Sequence, residues 1–142
     1  MTTLSSERLH ATCVAIGNAG VIIVGRSGSG KSDLAVRLID RGAMLVSDDS
    51  THIERRSERL IASAPDTIKG KIELFGVGIV EMPTQQDVEV KLIVSLDEHP
   101  TRMPDWGGRR QIAGIDVPVL GVAAYEPSAP IKVEHALRKV TS

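Results

Sequence analysis

Aromatic side chains are almost absent from this chain of 142 residues, which has one phenylalanine, one tryptophan and one tyrosine. A platform that stacks the bases of single-stranded nucleic acid needs several such rings, and a domain that binds the phosphate backbone needs an excess of positive charge. The formal net charge is −1. We therefore expect no nucleic acid among the partners of this protein.

Long apolar runs and cysteine pairs are also missing. The longest apolar run is too short to cross a bilayer, and the first ten residues lack the apolar segment of a secretory signal. The only cysteine, Cys13, cannot form an internal disulfide bond and lies in an apolar stretch, so we expect it in the core. These features predict one cytoplasmic domain over residues 1–142, with an aliphatic core and no membrane contact.

The most informative segment is rich in glycine and lies between two patterned elements. It reads G-R-S-G-S-G-K-S over residues 25–32, after the apolar run Val21–Val24 and before a helical pattern. Glycines let backbone N–H groups turn toward a phosphate, and the N-terminus of the helix adds its positive dipole end. The spacing predicts a loop that holds ATP through Gly25, Arg26, Ser27, Gly28, Ser29, Gly30, Lys31 and Ser32.

Within this loop, two side chains have separate predicted tasks. Lys31 supplies a mobile charge for the β- and γ-phosphates, and the Ser32 hydroxyl is placed to bind Mg²⁺. Arg26 and Ser29 are spacers. A glycine-rich turn capped by Ser32 is the structural alternative, and the strand and helix patterns on either side argue against it.

Periodicity predicts an α/β fold with a mixed sheet like that of phosphate-loop (P-loop) kinases, flanking helices and a β-rich second half. A helix is expected at residues 31–41, because its apolar residues share one face and Gly42 suits the position after its last turn. A strand at 44–46 should return parallel to the strand at 21–24. Further strands are predicted at 52–55, 59–64, 77–82 and 88–95, a long loop at 97–114 and a closing helix at 131–140.

Two acidic residues follow the second predicted strand, and a third lies at position 73. Asp48 and Asp49 end that strand, so their carboxylates should open onto the same sheet edge as Lys31 and Ser32. One would accept the proton of an attacking hydroxyl, while the other would hold a metal-bound water. Glu73 would add a carboxylate to a Mg²⁺ site. The alternatives are a charged turn at the aspartates and an exposed strand position at the glutamate.

Together, these segments resemble the catalytic domain of the HPr kinase/phosphorylase family, bacterial enzymes that act on a serine of the phosphocarrier protein HPr. The family carries a histidine fifteen residues before the first loop glycine, where this chain has His10. Its G-x-S-G-x-G-K-S followed by an acidic residue matches residues 25–33, and its R-G-x-x-L-[IV]-x-D-D matches residues 41–49. Its E-I-R-G-L-G-I-I-D resembles residues 73–81, and its D-V-P-V is present at 116–119.

The resemblance implies a role for each matching residue. Lys31 would bind the phosphates, and Ser32 and Glu73 would hold Mg²⁺. Asp49 would take the proton of the target serine, and in the reverse reaction with inorganic phosphate it would return it. Asp48 would support the metal or orient its neighbour. The implied partners are ATP, an HPr-like phosphocarrier protein and inorganic phosphate.

Two further assignments are less direct. His10 is either a participant in the reaction or a structural donor near a strand start, and the residues alone leave both interpretations open. The family's catalytic arginine, which would neutralise developing phosphoryl charge, falls on Arg102. Arg109 and Arg110 compete for that role because loop lengths differ in this region.

Other positions depart from the family pattern. Phe75 and Ala11 replace an arginine and a glycine, and Glu134 and His135 replace the glycine and arginine of a segment linked to dephosphorylation. Glu134 would bring negative charge toward an incoming phosphate, so kinase activity should exceed phosphorylase activity. The span resembles the short, catalytic-domain-only form of some proteobacteria. The family's hexameric assembly implies that this chain is a homo-oligomer.

Two other functions stay open on the residues alone. A small-molecule kinase or a GTPase-like switch would use the same loop, although no N-K-x-D guanine-reading motif is present. A nucleotide-sensing module without turnover would need fewer carboxylates than Asp48, Asp49 and Glu73 provide.

Overall fold

Strands dominate the computed structural model, which describes residues 5–104, 106 and 108–142. In chain order, the elements within these residues are β1 (Ser6–Leu9), β2 (Thr12–Ile16), β3 (Ala19–Val24), α1 (Lys31–Asp40), β4 (Met44–Ser47), β5 (Thr51–Arg56), β6 (Arg59–Ser63), β7 (Lys71–Leu74), β8 (Gly78–Glu81), β9 (Val88–Ser95), β10 (Arg109–Ile112), β11 (Ile115–Gly121) and α2 (Ala129–Thr141). The fold is therefore a mixed, β-rich sheet with two helices. Neither helix is long and apolar enough to span a membrane.

One mixed sheet holds most of these strands, while β7 and β8 form a separate antiparallel hairpin. The order across the sheet is β1-β5-β6-β9-β3-β2-β4, and β11, with its partner β10, pairs with β9 as well. β3 and β9 are parallel, and β2 is antiparallel to both β3 and β4. β4 therefore runs in the same direction as β3, as predicted, but β2 lies between them.

Alternating side chains of the central strands supply two cores, one on each face of the sheet. Val21 and Ile23 of β3 pack with Leu34 and Leu38 of α1, and Ile22 lies in the core on the opposite face. This division follows from the two-residue period of a strand. Burying one such side chain stabilises the fold by about 1.5–3 kcal/mol. The two cores hold β3 firmly, and the glycine-rich loop follows directly from its end.

A β-bulge in β9 changes which core its side chains reach. Gly20 of β3 pairs with Val90, but the next residue, Val21, pairs with Leu92, so Lys91 is left out of the pairing with β3. Val90 therefore packs in the core away from the helices, and Leu92 packs in the core beneath them. The alternation that predicts a half-exposed strand is limited to the first half of β9, because the second half is buried on both faces.

The structure confirms both predicted helices and corrects the predicted loop at 97–114. The N–H group of Gly42, whose φ is 114°, donates to the carbonyl of Ile39 just after α1, as the sequence predicts. At the end of the predicted loop, Arg109–Ile112 instead form β10, which pairs with β11. Three of its four residues are exposed, so no hydrophobic pattern marks it as a strand. The sequence patterns give no prediction for β1, β2 and β11, and β7 is anticipated only by the exposed strand position considered for Glu73.

Candidate active site

The glycine-rich segment joins the end of β3 to the start of α1, and its shape requires the glycines. Gly28 and Gly30 have φ values of 78° and 103°, a region that residues with a side chain rarely adopt. A Cβ atom on Gly25 would clash with the Ser29 hydroxyl. A Cβ atom on Gly30 would lie 3.1 Å from the ring of Tyr125. The backbone can therefore curl tightly here, as a phosphate-binding loop must.

Positive charge converges where the loop enters α1. The first N–H groups of any α-helix have no partner inside the helix, and no side chain caps the N-terminus of this one. Lys31 is only 6% exposed, and its Nζ donates to the carbonyl oxygens of Gly25 at 3.0 Å and Arg26 at 3.3 Å. The loop therefore holds an ammonium group beside the positive end of a helix dipole, an arrangement that attracts anions.

Asp48, which follows β4 directly, is a buried carboxylate with several hydrogen bonds. Its Oδ1 accepts hydrogen bonds from the Ser32 hydroxyl at 2.6 Å and the Thr12 hydroxyl at 3.1 Å. Its Oδ2 accepts one from the backbone N–H of Glu73 at 3.1 Å. The carboxylate is thus fixed beside the first turn of α1, which confirms that Asp48 and Ser32 share one edge of the sheet.

Asp49 points toward solvent at the same edge, and its side chain is 60% exposed. Its Oδ1 lies 3.5 Å from Nε2 of His10 and 3.9 Å from Nζ of Lys31. His10 lies in the turn between β1 and β2, which places it beside the aspartate although 39 positions separate them in the sequence. The structure therefore brings His10, Lys31 and Asp49 together around one carboxylate oxygen.

Glu73 contacts Asp48 through its main chain. It lies in β7, its side chain is exposed, and its backbone N–H donates to Asp48 as described above. Within residues 5–104, 106 and 108–142, no group of three or more His, Cys, Asp and Glu side chains could hold a metal ion. The side-chain oxygen atoms that meet at this edge are those of Ser32 and Asp48, which lie 2.6 Å apart.

The three candidate arginines lie in different surroundings. A cavity of about 450 Å³ opens beside the loop, and His10, Gly25 and Arg110 are among the residues that line it. Arg102 is exposed in the segment after β9. Arg109 lines a second cavity, of about 440 Å³, next to the opposite end of β9. Of the three, Arg110 is the one that shares a cavity with the glycine-rich loop.

The expectation that Glu134 would repel an incoming phosphate is wrong for the loop of the same chain. Its carboxylate accepts hydrogen bonds from the guanidinium of Arg41, at 2.8 Å from Nη2 and 3.1 Å from Nε. Arg41 lies just after the last residue of α1, whereas Lys31 is the first. A ten-residue helix is about 15 Å long, so the Glu134 charge is satisfied one helix length away from the loop.

Sequence reasoning missed one residue of the site, Thr12. Its side chain is fully buried, its hydroxyl donates to Asp48, and the same oxygen accepts the backbone N–H of Asp49 at 3.1 Å. The pairing of Cys13 with Ser47 sets Thr12 beside Asp48, because β2 and β4 are antiparallel. No local pattern marks this threonine, since its position depends on the pairing of strands distant in sequence.

A strand, a glycine-rich loop and an uncapped helix N-terminus, facing carboxylates at a sheet edge, together define a class of site suited to nucleoside phosphates. Comparison of the sequence with known protein families identifies one family within this class. Residues 2–124 match the family model for the HPr Serine kinase C-terminal domain. The chain therefore belongs to the HPr serine kinase C-terminal domain family.

Sequence identity to individual members of the family supports this membership. The chain is 35% identical over 129 residues to an HPr kinase/phosphorylase of Limosilactobacillus reuteri, a match that covers 82% of this chain and 40% of the relative. It is 42% identical over 77 residues to that of Clostridium tetani, covering 54% of this chain and 25% of the relative. The chain thus spans about two-fifths or less of the length of these relatives.

A solved structure matches over nearly its whole length. The Hpr(Ser) kinase/phosphatase of Coxiella burnetii superposes with a TM-score of 0.79 and 32% sequence identity, and the match covers 94% of this chain and 95% of that one. The predicted resemblance to this family is confirmed.

Proposed function

We propose that this chain transfers the γ-phosphate of ATP to a serine of an HPr-like phosphocarrier protein. The observation that carries the proposal is the meeting of Lys31, Ser32, Asp48 and Asp49 at one sheet edge, next to a glycine-rich loop. Phosphoryl transfer needs groups that hold the phosphates, a site for a metal ion and a group that receives the proton of the nucleophile. Family membership and the names of the relatives support HPr as the acceptor.

The oxygen atoms beside the loop suit Mg²⁺. In nucleotide sites this ion uses few protein ligands and keeps water and phosphate oxygens as the others. The hydroxyl of Ser32 and Oδ1 of Asp48 are 2.6 Å apart, and Glu73 adjoins them through its backbone. We assign Ser32, Asp48 and Glu73 to this site. When bound, Mg²⁺ would neutralise charge on the β- and γ-phosphates.

Asp49 is the group we assign to proton transfer. Its exposed carboxylate would accept the proton of the serine hydroxyl as the serine oxygen bonds to the γ-phosphorus and the bond from that phosphorus to the bridging oxygen of ADP breaks. Lys31 would hold phosphate oxygens in place of the loop carbonyls that it contacts in the structure. His10, 3.5 Å from the same carboxylate, would orient it. In the reverse reaction, an oxygen of inorganic phosphate would bond to the phosphorus of phosphoserine, the bond from that phosphorus to the serine oxygen would break with formation of pyrophosphate, and Asp49 would return the proton to the serine oxygen.

The catalytic arginine is a choice between Arg102 and Arg110 that variants would decide. The family resemblance assigns Arg102, and the cavity shared with His10 and Gly25 favours Arg110. Removing a charged donor aimed at the transferring phosphoryl group costs about 10²- to 10³-fold in kcat. We expect Arg110→Ala to lose that much and Arg102→Ala far less. The opposite ranking would return the role to Arg102.

Self-association, implied by the resemblance, is also a proposal. Phe75, Val77 and Ile79 are large apolar side chains that stand exposed on the hairpin of β7 and β8. Exposed apolar groups that lie together often mark interfaces between proteins. We propose that this hairpin packs against another copy of the chain. Sedimentation of a variant with serine at all three positions should show dissociation, and an unchanged mass would contradict the assignment.

The central experiment incubates the chain with labelled ATP, Mg²⁺ and purified HPr. Transfer of label to wild-type HPr, but not to HPr whose target serine is alanine, is the expected result. Label on a small molecule in place of HPr would favour a small-molecule kinase. Nucleotide binding without any transfer would favour a sensing module.

A further inference from the structure

We propose that Thr12 is a positioning residue that fixes both active-site carboxylates at once, an inference that rests on the proposed function of Asp48 and Asp49. One hydroxyl oxygen connects the two residues. Thr12 Oγ1 donates to Oδ1 of Asp48 at 3.1 Å and accepts the backbone N–H of Asp49 at 3.1 Å. Only a side chain that both donates and accepts, such as a hydroxyl, can make this pair of bonds.

The surroundings of Thr12 leave the hydroxyl no other role. The side chain is fully buried, so water does not compete for its hydrogen bonds. A buried hydroxyl needs partners, and here both partners belong to residues of the candidate active site. The backbone of Thr12 is held by the pairing of β2 with β3, where Thr12 lies opposite Ile23. β2, which is paired with β3 on one side and β4 on the other, thus supports the two aspartates that follow β4.

The backbone of Asp49 shows why such support is needed. Its φ is 63°, in the left-handed region that is uncommon for residues other than glycine. Conformations of this kind persist where the surrounding structure holds them, and they concentrate at functional sites. The bond from the Asp49 N–H to Thr12 restrains this turn. It thereby directs the Asp49 carboxylate toward Lys31 and His10 while Asp48 faces Ser32.

The consequence is a specific loss when the hydroxyl is removed. Thr12→Val keeps the branched shape but leaves the Asp49 N–H without its acceptor and Asp48 without one donor. Partners that orient metal ligands typically contribute about 10- to 100-fold in metal affinity or activity. We expect Thr12→Val to weaken nucleotide binding by that factor in the presence of Mg²⁺ and to leave binding in EDTA unchanged. We also expect kcat for HPr phosphorylation to fall by a similar factor.

Two further variants separate positioning from folding. Thr12→Ser restores the hydroxyl and should recover both the Mg²⁺-dependent affinity and kcat. Thr51→Val is the matched control, because Thr51 is also a fully buried strand threonine, but its hydroxyl donates to the carbonyl of Ala11 at 2.8 Å and forms no hydrogen bond with either aspartate. We expect this control to lower the melting temperature without a selective loss of Mg²⁺-dependent binding. If Thr12→Val does not fold, Thr12→Ala serves in its place.

The outcomes distinguish this inference from the proposed function. If wild-type protein does not phosphorylate HPr but Thr12→Val still loses Mg²⁺-dependent nucleotide affinity, the substrate assignment fails and the positioning role stands. If wild-type protein phosphorylates HPr and Thr12→Val matches it in affinity and kcat, the positioning role is overturned. It is also overturned if Thr12→Ser fails to recover, if Thr51→Val shows the same selective loss, or if neither Thr12→Val nor Thr12→Ala folds.

Discussion

Replacing Asp49 with asparagine tests the proposed proton transfer without reshaping the site. Asparagine has nearly the same volume and tolerates the left-handed backbone that Asp49 adopts at φ 63°. It cannot take up the serine proton. Loss of a general base typically lowers the rate about 10²- to 10⁴-fold, which corresponds to roughly 2.7–5.4 kcal/mol of activation free energy.

The same substitution should change stability much less. The Asp49 carboxylate is 60% exposed, with His10 Nε2 at 3.5 Å and Lys31 Nζ at 3.9 Å. Contacts of a carboxylate that lies mostly in water contribute about 0–1 kcal/mol each, because water and salt screen its charge. The expected rise in activation free energy therefore exceeds the expected fall in unfolding free energy. A purely structural role for Asp49 would reverse that order.

Asp87→Asn is a matched control for this test. Asp87 is also an exposed aspartate with a left-handed backbone, at φ 57°, and it lies just before β9, at the end of that strand away from the loop. The assay compares initial rates of label transfer from ATP to HPr with thermal melts of the three proteins. Asp87→Asn should match wild type. If Asp49→Asn folds normally and keeps more than about a tenth of the rate, the base lies elsewhere.

Three further predictions concern charge and burial. Lys31→Met removes the charge near the phosphates and should weaken nucleotide binding about 10- to 100-fold, measured by calorimetry; unchanged affinity would contradict its role. Glu134→Gln should leave nucleotide affinity unchanged, because that carboxylate pairs with Arg41 and raises the pKa of its guanidinium; a tighter site would revive electrostatic repulsion. Burial raises the pKa of the Cys13 thiol far above its ordinary value, so a thiol reagent should label it only on unfolding; rapid labelling of folded protein would contradict this.

Local sequence patterns were sufficient to predict the glycine-rich loop, α1 and the two aspartates after β4. Each of these features depends on residues within a few positions of one another, such as the run before Gly25 and the helical spacing after Lys31. β2, in contrast, could not be predicted from local patterns. Four of its five residues are fully or almost fully buried, so it shows no alternation of apolar and polar residues, and so short an apolar run fits a strand or a helix equally well.

Long-range pairing decided what the sequence patterns could not. β10 reads R-R-Q-I and would be a surface loop by composition, yet its pairing with β11 makes it a strand. Glu134 illustrates the same limit for charge. Its partner Arg41 is 93 positions earlier in the sequence, and only the packing of the two helices brings them together. An electrostatic argument from the sequence had no means of finding that partner.

The register of β2 against β4 connects these observations to the chemistry. Because side chains alternate along a strand, a slip of one residue would turn Thr12 to the other face of the sheet and present a neighbour to Asp48. The register is held by burial, since Cys13 and Ala15 on one face and Val14 on the other each fill a core. A slip would expose these side chains to the wrong core, so the apolar pattern of β2 also specifies where the hydroxyl of Thr12 lies. Packing in the two cores therefore fixes the geometry of the two carboxylates.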